Sequence, residues 1–411
     1  MPDLAALMIR PEEVASYIVF TDGVNVYAKN GKTGKIEFSG TDSSTVIQQA
    51  IDALLGKWGT VWIKGFITLT RGITLWSGIG LRGAKAGWGD TRGQLRIEDV
   101  IYGNFNEPII TIKNHPNYTS VAFFPHIADL AVIGGGNPSY TNNDGIYISG
   151  ENGAVMDVFI KNVQVGFCGG HGFHIKNGGK HYLRNVYSEG NKGDGVYVES
   201  SYILKVDGAY IYGNTNGIRY TYNGGTLIVT NSFIRNNSQY GIDIYPAHKY
   251  NDVMIVGNSF LNNDASTSYA NIRLWDVENY AIIGNSFQDD RSTKLTAYHI
   301  SVNDARTNGV IIGNVFMDTA VNGVFRFSPR GSSIIKYNKG YISENSGTAT
   351  IAAGSTRVTV SHGLAAAPSK VLATPYGNAR VWVENITSTS FDIVTDTAPT
   401  SNINIAWYAE V

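Results

Sequence analysis

The chain has 411 residues, a formal net charge of -1 and only 16% charged side chains, with 47 glycines and 24 tyrosines. That balance excludes a disordered chain and a charge-rich helical bundle, and it supplies no basic field for nucleic acid. A single cysteine, Cys168, excludes an intrachain disulfide and any cysteine-rich metal site.

No apolar run reaches transmembrane length, so no membrane insertion is expected. Residues 1–13 lack the charged start and apolar core of a signal peptide. An extracellular, cell-surface or virion location is expected, reached by another export route, after removal of a leader, or on lysis of a host.

In chain order, residues 1–38 read as short strands, with Tyr17-Ile18-Val19-Phe20 and Val24-Asn25-Val26-Tyr27 paired as a hairpin. A helix is expected over about 43–55, capped by Thr41 or Asp42, because Val46, Ile47, Ala50, Ile51 and Leu54 share one face. Alternating strands follow at Gly59-Thr60-Val61-Trp62-Ile63 and Ile67-Thr68-Leu69.

From there to about 345 a repeat takes over. Asn162, Asn185, Asp207, Asn231, Asn258, Asn285, Asn314 and Asn338 recur at intervals of 22 to 29 residues. The strand type Gly145-Ile146-Tyr147-Ile148 recurs as Gly172-Phe173-His174-Ile175, Gly195-Val196-Tyr197-Val198, Gly217-Ile218-Arg219-Tyr220 and Gly241-Ile242-Asp243-Ile244. Strands this short, in units shorter than a propeller blade, define a parallel β-helix. Stacked Asn amides would satisfy one another between coils. Phe233, Phe260, Phe287 and Phe316, each two residues past a ladder Asn, predict an internal aromatic stack. After Tyr341 the period is lost, and residues 346–411 read as a small antiparallel β-domain.

These segments resemble the pectate-lyase-like superfamily, nearest to its polygalacturonase and phage tailspike depolymerase branch. The resemblance rests on Gly40-Thr41-Asp42-Ser43-Ser44, Ile47-Gln48-Gln49-Ala50-Ile51-Asp52, and the Gly-Ile-x-Ile and Ile-x-Gly-Asn-Ser-Phe coils of residues 40–340. It implies an all-β, right-handed parallel β-helix, a single-stranded solenoid with an N-terminal capping helix over residues 39–345. It also implies a polysaccharide partner. Asn142-Asn143-Asp144-Gly145 and Gly170-His171-Gly172 are similar to polygalacturonase motifs, but the family's Asp-Asp between them is missing. Its nearest counterpart, Gly193-Asp194-Gly195, comes one coil later. The resemblance makes no cofactor certain and leaves Ca2+ open.

Alternation places one outward column at Tyr147, His174, Tyr197, Arg219, Asp243 and Arg273. A second runs through Ser149, Lys176, Glu199, Thr221, Tyr245 and Trp275. Aromatic faces against sugar C–H surfaces, with cations for acidic groups, suit a glycan groove. Asp144, His171 and Asp194 precede the strands in successive coils, so the two carboxylates stand about 9.6 Å apart at the sheet spacing. That separation is near the upper limit for inverting hydrolysis, with His171 holding a proton or orienting the sugar.

Hydrolysis is the first expectation, Glu199 with Asp243 being an alternative acid pair. β-Elimination is the second, with Tyr197 or His174 as base and Arg219, Arg273 or Lys176 neutralising a uronate. His171-x-x-His174 with His181 hints at metal ligation, but a turn residue and a strand residue diverge, so no metal is assigned. A non-catalytic glycan- or receptor-binding tailspike body, assembled as a homotrimer, is the alternative from another class.

Overall fold

The computed structural model describes residues 15–84, 99–116, 122–150, 153, 155–176, 178–221, 225–245, 251–303, 308–328 and 333–411. The β-branched repeats form a right-handed parallel β-helix. Among the described residues, one wall is a ten-stranded parallel sheet running from Ile73–Trp76 to Phe325–Ser328. The remaining walls belong to a 24-stranded sheet that bends around the corners. Inward positions of every coil merge into one apolar core, because a single coil cannot bury them alone.

The front end is closed as the apolar spacing predicts. Tyr17–Thr21 pairs antiparallel with Val26–Asn30 and parallel with Gly59–Ile63, which ties the hairpin to the first coil. Helix α1, Ser43–Asp52, buries Val46, Ile47, Ala50 and Ile51. Its first turn is held tertiarily rather than by a side-chain cap. The Asp42 carboxylate turns to Thr45, Thr70 and Arg71, and the Ser44 hydroxyl donates to the Arg71 carbonyl. Among the described residues no helix is long and apolar enough to cross a membrane.

The expected row of eight Asn and Asp residues is three columns, offset by one residue from each other. Asn162, Asn185 and Asn231 occupy a left-handed corner with φ of 54°, 51° and 53°. Gly257, Gly284 and Gly313 hold the same corner in later coils, since glycine adopts that conformation without steric cost. Asp207 lies one residue before this corner, as its pairing with Arg184 and Thr230 shows. Asn258, Asn285, Asn314 and Asn338 lie one residue after it. Only these last four form the buried ladder. In Asn258, Asn285 and Asn314 the backbone N–H and Nδ2 both donate to the next amide oxygen at 2.8–3.0 Å.

The offset also corrects the aromatic stack. Phe260, Phe287 and Phe316 stack at centroid spacings of 5.0 Å inside the core. Phe233 is 57% exposed, because it pairs with Ser259 while Ile234 takes the inward place beside Phe260. Counting from Asn231 puts Phe233 in phase; counting from the buried Ser232 puts it one residue out. A second ladder, Asn191–Asn214–Asn237–Asn263, closes another corner with amide-to-amide bonds of 2.8–3.2 Å.

Past the solenoid, Glu344–Ile351, Ile403–Glu410 and Lys370–Pro375 form one antiparallel sheet, and Arg357–Ser361, Ser390–Thr395 and Val381–Glu384 another. They enclose a core of their own around Phe391, Ile393, Ile405 and Trp407.

Candidate functional site

Strand register brings the first column together in the order read from the sequence. Tyr147, His174, Tyr197, Arg219, Asp243 and Arg273 are successive partners across the ten-stranded sheet, each between inward apolar residues. In the second column Ser149 pairs with Lys176, Glu199 follows one coil on, and the Tyr245 and Trp275 rings sit 5.4 Å apart. Ser149 is buried, so the column is not open along its whole length.

The turn row also stacks, through bonds from Gly145 N to His171 O and from Gly172 N to Asp194 O. Its two carboxylates lie behind the face. Asp144 Oδ1 accepts the His171 N–H at 2.6 Å, and Asp144 Oδ2 stands 2.7 Å from His174 Nδ1. Asp194 Oδ1 accepts both the backbone N–H and Nδ2 of Asn216, at 3.1 and 2.7 Å. The two carboxylate side chains are 7% and 3% exposed, so neither presents an open oxygen to the groove.

His174 is held at both ring nitrogens, by Asp144 and, at 3.0 Å, by Glu199 Oε1. Burial disfavours its charged form, but the hydrogen bonds and charges of Asp144 and Glu199 outweigh burial and hold its pKa above the ordinary value. Glu199 Oε2 meets Lys176 Nζ at 3.2 Å. His171 differs: burial pushes its pKa down, more than the charges of Asp144 and Asp194 push it up. Its Nδ1 accepts the Asp194 N–H at 2.9 Å, so the proton of the neutral ring sits on Nε2.

The Tyr197 ring lies 4.4 Å from His171 and 5.1 Å from His174, centroid to centroid. Among the described residues its hydroxyl makes no hydrogen bond. One coil on, Arg219 touches Asp243 only through Nε at 3.6 Å and keeps 41% of its side chain exposed. Asp243 lies on the outer face yet is roofed over. Arg273 grips it with two bonds of 2.6 and 2.8 Å and stacks on the Tyr240 ring at 4.2 Å. Burial raises the Asp243 pKa, and the hydrogen bonds and charge of Arg273 oppose that pull without cancelling it.

His181 stands apart from His171 and His174. It is inside the core and, among the described residues, both ring nitrogens are unpartnered, so the three histidines converge on no common point. Sequence reasoning found the individual residues but not the chain Asp144–His174–Glu199–Lys176. Its signal was available in the register, which sets Glu199 one coil from His174 and Asp144 beside the preceding turn.

The description "right handed beta helix region" matches residues 136–287. No curated protein matches the chain. Among solved structures it is similar to the enzymatically active domain of tailspike protein 2 of bacteriophage CBA120. The identity is 11% and the TM-score 0.53, over 90% of this chain and 71% of that one. It is also similar to the A-module of the mannuronan C-5 epimerase AlgE4 of Azotobacter vinelandii, with 18% identity and a TM-score of 0.50 over 72% and 91%. The Dettilon tailspike protein gp208 aligns over 97% and 93% at 14% identity and a TM-score of 0.46. At these identities the likeness is one of fold. The class is a right-handed parallel β-helix with an aromatic and charged outward face.

Proposed function

We propose that the protein is a polysaccharide depolymerase that cleaves an acidic glycan lying across the ten-stranded sheet, by β-elimination at a uronate. One observation carries this reading. At the centre of the face Tyr197 and Arg219 have unused polar ends, while every nearby carboxylate is engaged. Asp144 is bound by His174 and the His171 N–H, Asp194 by Asn216, Glu199 by His174 and Lys176, and Asp243 by Arg273. Hydrolysis needs one carboxyl able to give a proton and another able to activate water. Elimination needs a base and a cation.

In this scheme Arg219 and the His171 Nε2–H bind the uronate carboxylate and stabilise charge as the C5 proton leaves. Tyr197 acts as the base and takes that proton. The C5–H electron pair forms the C4–C5 double bond while the C4–O4 bond breaks. Tyr197 then passes the proton to O4 and ends as it began. His174, clamped between Asp144 and Glu199, is a positioning residue for the Tyr197 and His171 rings. Tyr147, Lys176, Tyr245 and Trp275 extend the groove on either side, and Arg273 with Asp243 braces Arg219.

The test is digestion of uronate-containing polysaccharides. Elimination creates the ultraviolet band of an unsaturated uronate with each new chain end. New reducing ends without that band would reassign the chemistry to hydrolysis. The observation favouring that second reading is the upward pull of burial on Asp243, which with half-exposed Glu199 would supply an acid and a base. Saturable glycan binding with no new ends would leave a non-catalytic binding protein. A virion or extracellular location, and assembly as a trimer, fit the same proposal and are checked by fractionation and sedimentation.

A further inference from the structure

A second cluster of aromatic and cationic side chains lies on the other sheet, away from the ten-stranded wall. Strands Val158–Gly166, Gly178–Arg184 and Ser201–Asp207 are successive parallel partners. Their outward positions form a grid, with Phe159, Tyr182 and Lys205 in one column and Lys161, Arg184 and Asp207 in the next. Between the columns the Ile160 and Leu183 side chains turn inward, and the eight residues together line a pocket of about 410 Å³.

Phe159 and Tyr182 stack at 4.7 Å with ring planes 3° apart, and Phe159 remains 43% exposed. The aromatic column stops there. On the far side of Tyr182 the next coil carries Lys205 instead of a third ring. Among the described residues Lys161 and Lys205 make no hydrogen bond or ion pair. Arg184 reaches Asp207 only at 3.9 Å. Asp207 is occupied by the Thr230 hydroxyl and Asn231 Nδ2, which with nearby cations keep its carboxyl below the usual range. Three cations therefore face one preoccupied carboxylate, in a chain whose net charge is -1.

We propose that this pocket is a second glycan-binding site that holds a hexuronate residue. The sugar's C–H face packs on the Phe159–Tyr182 rings and its carboxylate meets Arg184, Lys161 and Lys205. Facing away from the catalytic groove, it keeps the enzyme on a long anionic polymer by holding a second segment of it. The ligand class is read from the pocket itself and stands whether or not the ten-stranded face is catalytic.

The test uses the full chain carrying Tyr197→Phe, so that cleavage is slow on the timescale of the titration. Trigalacturonate, triglucuronate and the methyl ester of each are titrated by calorimetry. The expected result is two binding events for at least one acid trimer, with the ester about tenfold weaker at this pocket. Adding Arg184→Glu with Lys205→Glu removes one event and leaves the other within about twofold, while adding Arg219→Ala removes the other. A melting temperature unchanged by the charge reversals shows that the loss is local. Binding by neither acid trimer, a single event removed by Arg219→Ala, equal binding of acid and ester, or two events that survive the charge reversals would each overturn the proposal.

Discussion

Two stretches of one solenoid, residues 144–219 and 258–338, carry their polar groups at different coil positions and use them in opposite ways. In the later stretch the corner column is a run of identical amides, Asn258 to Asn338, each closed onto the next and buried, beside the Phe260–Phe287–Phe316 stack. In the earlier stretch, turn and strand positions hold Asp144, His171, His174, Asp194 and Tyr197. These unlike groups satisfy one another across columns and leave Tyr197 and Arg219 over. A uniform column of self-complementary side chains stabilises the prism; a mixed column concentrates charge at its surface.

The widest gap between the two stretches is expected from Tyr197→Phe. It should lower turnover by about 10³-fold while moving the melting temperature little. Retention of full activity would remove Tyr197 from the chemistry. In the later stretch Phe287→Ala should cost about 4 kcal/mol in chemical denaturation, because the cavity opens in the middle of the buried stack. Phe233→Ala, at the nominally equivalent position, should change stability by less than about 0.5 kcal/mol. Equal costs would contradict the one-residue offset.

Asn285→Ala breaks the amide ladder at its centre, stranding the Asn258 N–H and Nδ2 donors on one side and taking a donor from the Asn314 Oδ1 and Ile255 carbonyl acceptors on the other. A loss of about 3 kcal/mol is expected, with activity per folded molecule unchanged. A smaller, pH-dependent effect belongs to His181. Burial alone pushes its pKa down to about 3, below the unfolded value of 6.5. A depressed histidine contributes nothing above the unfolded pKa and destabilises as pH falls below it. Between pH 8 and 5 this should cost about 2 kcal/mol. His181→Leu should flatten that acid limb, and an unchanged slope would show that the ring is not neutral in the folded protein.

The clamp around His174 predicts the opposite sign. Its raised pKa contributes stability that is fully present below pH 6.5 and lost as pH rises through the folded value. His174→Asn should therefore remove an alkaline loss, at the smaller magnitude expected of a partly solvated group. An NMR titration of the two ring resonances would separate His174 from His171, whose pKa moves down.

Much of this architecture was legible in the chain. The repeat gave the solenoid and the order of its coils, and strict alternation set Tyr147, His174, Tyr197, Arg219, Asp243 and Arg273 in one column, because a strand's side chains alternate whatever lies around them. The helix expected over about 43–55 was equally plain from its apolar face, and it forms over Ser43–Asp52. The phase of each corner was not. Asn231-Ser232 and Gly257-Asn258 fill the same two places, and only backbone φ and the packing of adjacent coils decide which residue turns inward. Nor could sequence decide which carboxylates were already engaged. Asp194 with Asn216, Asp243 with Arg273, and Glu199 with His174 are contacts between coils, about 22 to 30 residues apart, made by rotamers and burial that local pattern does not encode. Sequence alone determined the prism and the side chains along its flank; tertiary packing decided which of them had a hydrogen-bonding end left for a substrate.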